Sequence, residues 1–273
     1  MEITYTTEVI GDMGQAPGVI GLIVHDSRAS QYVAITAANV AGKKCRELAT
    51  GEPIGTSKAL RPERYFRARL RPAWTLLTPV ALGKHVRVGE GRIKAKAGPV
   101  YPTLEADPRS FTGETVFVHL RNRDPMEAML VSSRSSFAMP VSDADGPVFF
   151  QGAIELFFRG EQERARRGDA GSVVTSTDGA VLGIVVSAVG TSTFVAPVSP
   201  LLEQMEGCVP LSASLIKRRN KLAHAEPIEP VSDERPMDNP PDEAQRDWRR
   251  AVEEGDEAAQ LKVGKNMSKE IFA

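Results

Sequence analysis

The sequence predicts an all-β fold, and three observations carry that prediction. Most apolar runs within residues 1–210 are only four to six residues long and rich in Val, Ile, Thr and Phe. Gly, Pro, Asp and Ser interrupt these runs at close intervals. Helical periodicity is scarce over the same stretch. Short β-branched runs between turn residues are the pattern of a barrel or a sandwich.

Taken in order, the runs are Val19–Val24, Tyr32–Ala37, Ala73–Leu77, Thr115–Leu120, Ala128–Val131, Val148–Phe149, Ser172–Thr175, Val181–Val186 and Thr193–Ala196. Each is expected as a strand. Ser199–Met205 sets Leu201, Leu202 and Met205 on one helical face and is expected as a short helix closing the domain. At 273 residues the chain has room for one large all-β domain, or for a double barrel with a tail.

Composition narrows the function classes. Apolar residues make up 41% and charged residues 25%, ordinary values for a soluble globular protein. A formal net charge of -1 gives no whole-chain attraction to nucleic acid or to an anionic membrane. No apolar run approaches the roughly 20 residues that span a bilayer. Met1–Gly21 has neither the basic start nor the apolar stretch of a secretory signal. Cys45 and Cys208 are too few for a disulfide framework and lack metal-ligand spacing, so free thiols and no cofactor or metal are expected. The expected setting is the cytoplasm, or an assembly formed there such as a virion.

The composition changes after Leu215, so residues 1–215 are expected to fold and 216–273 to form a Pro-rich acidic tail. The basic run Lys217-Arg218-Arg219-Asn220-Lys221 opens this tail. Glu226–Glu257 then holds twelve acidic residues against four arginines, a local charge of -8, and cannot bury enough apolar surface to fold alone. Within it Ala244, Trp248 and Val252 recur at i, i+4 and i+8, which predicts a short helix over 241–262. The segment reads either as a solvated tail or as a docking arm that anchors through Trp248.

Three motifs stand in order along the chain. Val33-Ala34-Ile35-Thr36-Ala37-Ala38-Asn39-Val40 is followed by Gly113-Glu114-Thr115-Val116-Phe117-Val118. Next comes Gly168-Asp169-Ala170-Gly171-Ser172, then Asp178-Gly179 and Gly183-Ile184-Val185-Val186-Ser187. Together they resemble the trypsin-like serine protease family. There, Leu-Thr-Ala-Ala-His presents the base, and Gly-Asp-Ser-Gly presents the nucleophile ahead of an Asp-Gly turn and a Gly-Ile-Val-Ser strand. The resemblance spans roughly residues 15–206. It implies two antiparallel six-stranded β-barrels, the first over about 15–105 and the second over about 110–206, with a cleft between them. Asn39 and Ala170 are expected to face each other across that cleft.

Acyl transfer by this machinery needs a hydroxyl nucleophile, an imidazole to take its proton and a carboxylate to orient the imidazole. The resemblance puts Ala170 at the serine position and Asn39 at the histidine position. A methyl group is no nucleophile, and an amide has no useful basicity near neutral pH. Arg71–Leu77 is the best match to the aspartate-bearing strand and holds no carboxylate, with Asp107 as the alternative if the intervening loop is long. Ser172 lies two residues past the expected elbow, and strand alternation should turn it away. His25, His85, His119 and His224 all stand outside any base motif. The oxyanion hole is built from backbone N–H groups, here those of Gly168 and Ala170, so it survives the loss of side chains. A cleft of this kind can still hold an extended peptide by strand addition.

These residues point to a pseudoprotease, a non-catalytic protein-binding or structural component of a larger assembly such as a phage particle or a bacterial regulatory or defence complex. The alternative is a serine endopeptidase captured as a Ser-to-Ala variant. That alternative accounts for Ala170 but not for Asn39 or the missing carboxylate. Partners are expected to be proteins or further copies of this chain, met through the cleft, the tail and an arginine face. That face comprises Arg67, Arg69 and Arg71, which alternate along Tyr65–Leu77. Arg159, Arg164, Arg166 and Arg167 form a second basic group. Nearby Glu63, Glu161 and Glu163 leave solvated, charge-balanced faces as the other reading. Nucleic acid is disfavoured because no aromatics interleave with the basic residues and no module is recognisable.

Overall fold

The computed structural model describes residues 1–12, 17–58, 68–89, 92–104, 107–121, 123–140, 147–160, 165–166, 168–212, 215–217 and 220–221. From the N-terminus these give β1 (Glu2–Ile3), β2 (Glu8–Gly11), β3 (Gly18–Val19), β4 (Leu22–Asp26), β5 (Gln31–Ala37), helix α1 (Ala38–Ala41), β6 (Lys44–Glu47), β7 (Pro53–Ser57), β8 (Leu70–Pro72), β9 (Leu77–Leu82) and β10 (Arg87–Val88). Then come β11 (Ile93–Ala95), β12 (Gly98–Val100), β13 (Thr103–Leu104), β14 (Thr115–Val118), β15 (Met126–Pro140), β16 (Pro147–Phe157), β17 (Val173–Ser176), β18 (Ala180–Val189), β19 (Ser192–Pro197), helix α2 (Ser199–Gln204) and β20 (Cys208–Pro210).

Two antiparallel barrels account for most of these strands, as expected. In the first, β4, β5, β9, β7, β6 and β2 pair in succession. Only Ile20 and Gly21 separate β3 from β4, and β3 pairs back onto β2. The single segment Gly18–Asp26 therefore joins β2 at one end and β5 at the other, which closes a ring of six strand positions. In the second barrel the ladder β14-β15-β16-β19-β18-β17 returns to β14, a closed ring of six. Closure removes the exposed edges that open sheets must otherwise protect.

Each barrel also takes on a strand from the other barrel's side of the chain. β8 adds in parallel to β16 of the second barrel, and β20 adds to β4 of the first. The C-terminal segment continues along the first barrel from there. Leu211 is buried, and Tyr32 donates its hydroxyl to the carbonyl of Leu215. The Asn220 side chain accepts from the N–H of Val88 at 3.0 Å and donates to its carbonyl at 2.9 Å. An amide side chain here does the work of a neighbouring strand on β10. All described residues belong to one unit, Met1–Ala225. Trp248, the predicted helix over 241–262 and the acidic tail fall outside the described residues.

The apolar residues fall into two buried clusters. One, with Val116, Leu130, Leu156, Val174, Leu182 and Val195, fills the second barrel. The other runs from the interior of the first barrel (Ile23, Ile35, Ile54, Leu77) to residues of the second, among them Phe137, Phe150, Ile184 and Phe194. Phe137 stacks on Phe194 at 4.6 Å between centroids and on Phe150 at 5.6 Å. Burial of each such side chain is worth about 1.5–3 kcal/mol, so the continuous cluster makes the barrels a single cooperative body.

The helix expected at Ser199–Met205 forms as α2, with Leu201 and Met205 buried. Two expectations need correction. Ala73–Leu77 was expected as a strand, but Ala73–Leu76 forms a turn of 3-10 helix. Thr75 closes it by donating its hydroxyl to the carbonyl of Pro72 at 2.7 Å, and the turn buries Trp74. The arginine face also fails. Arg69 is exposed, whereas Arg71 is buried with its Nε donating to the carbonyl of Ala68 at 2.8 Å. Strand β8 is only three residues long and starts after Arg69, so no strand alternation links the two. Arg67 lies outside the described residues.

Candidate active site

The elbow that precedes β17 is held by its own backbone and one buried acid. Gly168 and Gly171 adopt φ of 101° and 100°, a region that favours glycine. Asp169 is 3% exposed. Its Oδ2 accepts from the Arg123 guanidinium, and from the Arg166 N–H at 2.7 Å. The Asp169 N–H donates to the Arg166 carbonyl and its own carbonyl accepts from the Ser172 N–H, both at 3.0 Å. Gly171 N–H donates to the Val185 carbonyl at 2.8 Å, fixing the elbow to β18.

The first barrel meets this elbow through backbone. Val19 N–H donates to the Ala170 carbonyl at 2.9 Å. The approach is possible only because three residues lack a Cβ. A Cβ on Gly18 would lie 2.4 Å from the Ala170 carbonyl oxygen, and one on Gly21 would lie 2.0 Å from that of Gly171. A Cβ on Gly171 would lie 1.9 Å from the carbonyl oxygen of Val19. Thr36, buried on β5, donates its hydroxyl to that same Val19 carbonyl at 2.6 Å. Strand β5 then ends in α1, where Val40 and Ala41 are buried and Asn39 is exposed.

Asn39 and Ala170 consequently line one cavity of about 570 Å³. Arg166, Gly168, Val185, Val186, Ser187 and Ala188 are among its other walls. Among the described residues no His, Cys, Lys, Asp or Glu side chain lines it, and Ser187 is its one hydroxyl. Also among the described residues, the N–H groups of Gly168 and Ala170 have no backbone acceptor. Its described lining therefore offers hydrogen-bond donors but no pair of groups able to activate a nucleophile.

Comparison of this architecture with solved structures identifies it. The Nocardiopsis protease matches with a TM-score of 0.55 and 13% identity, over 78% of this chain and 100% of that one. Thermobifida fusca Protease A matches at 0.54 and 17%, over 78% and 100%. The Cellulomonas bogoriensis chymotrypsin matches at 0.53 and 17%, over 77% and 99%. The fold is that of the chymotrypsin-like serine proteases. No protein-family model matches the sequence, and no curated protein does. At these identities the likeness concerns the fold and leaves the chemistry to be argued from the site.

Within the chymotrypsin-like fold, the remaining candidate residues are scattered. Asp107, the alternative third member of a triad, lines a different groove of about 870 Å³ with Trp74, Arg109 and Arg134, and its carboxylate accepts from the Arg109 N–H. Ser172 is fully buried and its hydroxyl has no partner among the described residues. His25 packs against Tyr32 with ring centroids 4.9 Å apart and planes tilted by 59°, and the His85 ring meets the Pro53 carbonyl at 2.9 Å. His224 lies outside the described residues. Arg123, which anchors Asp169 of the elbow, carried no motif in the sequence, and Thr36, which holds Val19, lay inside the Val33–Val40 motif without a role of its own. Gly18 and Gly21 did carry a signal, since glycine within an apolar strand run marks a close backbone approach.

His119 has a different consequence. It is buried on the second barrel with Nε2 3.1 Å from the Thr175 hydroxyl. Burial, with a smaller push from Lys94, lowers its pKa from 6.5 to about 4. Between those values the unfolded chain takes up a proton that the folded chain refuses. Stability from this source is full above the unfolded value and falls as pH drops toward about 4, by roughly 3 kcal/mol at ~1.4 kcal/mol per pH unit. Urea midpoints of the parent should fall more steeply between neutral and acidic pH than those of His119→Gln. Parallel losses in the two proteins would clear His119 of this role.

Proposed function

We propose that this chain is a trypsin-like pseudoprotease, a module that holds an extended protein segment in its cleft without cutting it. The observation that carries this reading is the single cavity that unites Asn39 with Ala170 and holds no nucleophile–base pair among its described lining. Its Gly168 and Ala170 N–H groups are the vestige of an oxyanion hole, and backbone donors of this kind bind a carbonyl whatever the side chains are. The partner is a protein or another copy of the chain, met through the cleft and through the tail that contains Trp248. The setting is the cytoplasm or an assembly formed there. Native mass analysis that recovered the chain only as a monomer would remove the assembly role.

The purified chain should not hydrolyse casein or small esters. A site stripped of its triad retains only about 10³–10⁴-fold acceleration over water, below what such assays detect. Ala170→Ser should remain unlabelled by a fluorophosphonate, because Asn39 cannot take the serine proton. Asn39→His together with Ala170→Ser should gain slow labelling. Stoichiometric labelling of Ala170→Ser alone would refute the pseudoprotease reading and favour an endopeptidase inactivated at one residue.

A further inference from the structure

The polar groups that line the elbow cavity are biased toward donors. Gly168 and Ala170 present N–H groups without a backbone acceptor among the described residues. Asn39 is exposed, stands in the same lining and carries a side-chain amide. No carboxylate lines the cavity among the described residues. We propose that this cavity binds the free C-terminal carboxylate of a peptide chain. The inference rests on the peptide-binding reading above and names the ligand for that site.

The two substitutions that disable acyl transfer are the ones that suit a carboxylate. An internal peptide carbonyl brings one oxygen, which the two backbone donors can take. A chain terminus brings two oxygens and a negative charge. With a methyl group at Ala170, no hydroxyl oxygen occupies the space beside the carbonyl carbon, so a second oxygen has room there. Asn39, lining the same cavity, has an N–H₂ to donate to that oxygen, where a neutral imidazole would offer a single ring N–H. Hydrogen bonds to an ionised acceptor are about twice as strong as neutral ones. Val185, Val186 and Ala188 in the wall favour a small apolar side chain on the terminal residue. A chain terminus fits better than a free small anion because the peptide before it adds contacts along the cleft edge.

The test uses the full-length chain labelled with ¹⁵N and three probes: acetyl-Ala-Ala-Pro-Val with a free acid, the same peptide as its carboxamide, and acetate. The acid should shift the Gly168 and Ala170 amide resonances and bind about tenfold more tightly than the carboxamide. Acetate should reach the same resonances only at much higher concentration. Asn39→Leu, at an exposed position, should erase most of the preference for the acid over the carboxamide. Equal affinity of acid and carboxamide at those amides would overturn the carboxylate proposal while leaving the peptide-binding reading intact. No shift from either peptide at millimolar concentration would overturn both. Acetate binding as tightly as the peptide acid would overturn the assignment to a chain terminus.

Discussion

Gly171→Ala should destabilise the protein by about 4 kcal/mol and loosen the contact between the barrels. Two costs add. The residue sits at φ 100°, and holding a non-glycine residue in such a region costs about 1–3 kcal/mol. The new methyl group would also lie 1.9 Å from the Val19 carbonyl oxygen and 2.7 Å from the Thr36 hydroxyl. Overpacking of this kind costs about 1–3 kcal/mol, and more where the obstacle is backbone. Neither obstacle can step aside cheaply, because Thr36 and Val19 are hydrogen-bonded to each other and Val19 N–H is committed to Ala170. Gly51→Ala is the control. It also has positive φ, at 72°, but nothing lies within 4 Å of its added Cβ, so only the conformational cost of about 1–3 kcal/mol applies. Urea denaturation of the two variants separates the terms. Equal losses would mean that the backbone approach at Gly171 is not what joins the barrels.

That contact also marks the limit of what the sequence conveyed. The central strands were legible because runs such as Tyr32–Ala37 and Val181–Val186 are buried at every position and so stand out as short continuous apolar segments. The elbow was legible because Gly168 and Gly171 have few substitutes at positive φ. Closure of the barrels was not, since β3 and β4 read as one run and the return of β3 to β2 is a long-range pairing with no local signature. The exchanged strands β8 and β20 were invisible for the same reason. Ala73–Leu77 misled because its apolar residues suit a strand, while the local Thr75–Pro72 hydrogen bond favours a turn. Asn39 and Ala170 were legible only as departures from an expected motif. Their shared cavity comes from Thr36, Val19, Gly18, Gly21 and Gly171, whose pairing across the barrels is long-range and has no local signature.

Arg123→Met is expected to cost about 3 kcal/mol and to disturb the elbow more than any surface change. Asp169 has 4% of its side-chain surface exposed, and Arg123 has 26%. Removing one partner of a buried pair leaves the other charged and desolvated, at a typical cost of about 3–5 kcal/mol. The lower end applies because Arg123 keeps part of its side chain in water, where screening weakens the pair. The carboxylate would retain only the Arg166 N–H among its described partners. Neutralising it as well should therefore recover stability. The double variant Arg123→Met with Asp169→Asn should be more stable than Arg123→Met alone by about 1 kcal/mol or more, the sign expected of directly coupled residues. The Asp169 backbone also receives the Ser172 N–H and donates to Arg166, so strain at its side chain passes directly to the Gly168 and Ala170 N–H groups. Amide exchange at those two positions should accelerate in Arg123→Met and return toward the parent rate in the double variant. A single variant within about 0.5 kcal/mol of the parent, the range of ordinary surface substitutions, would mean that the glycines alone shape the elbow and that the buried ion pair is incidental to it.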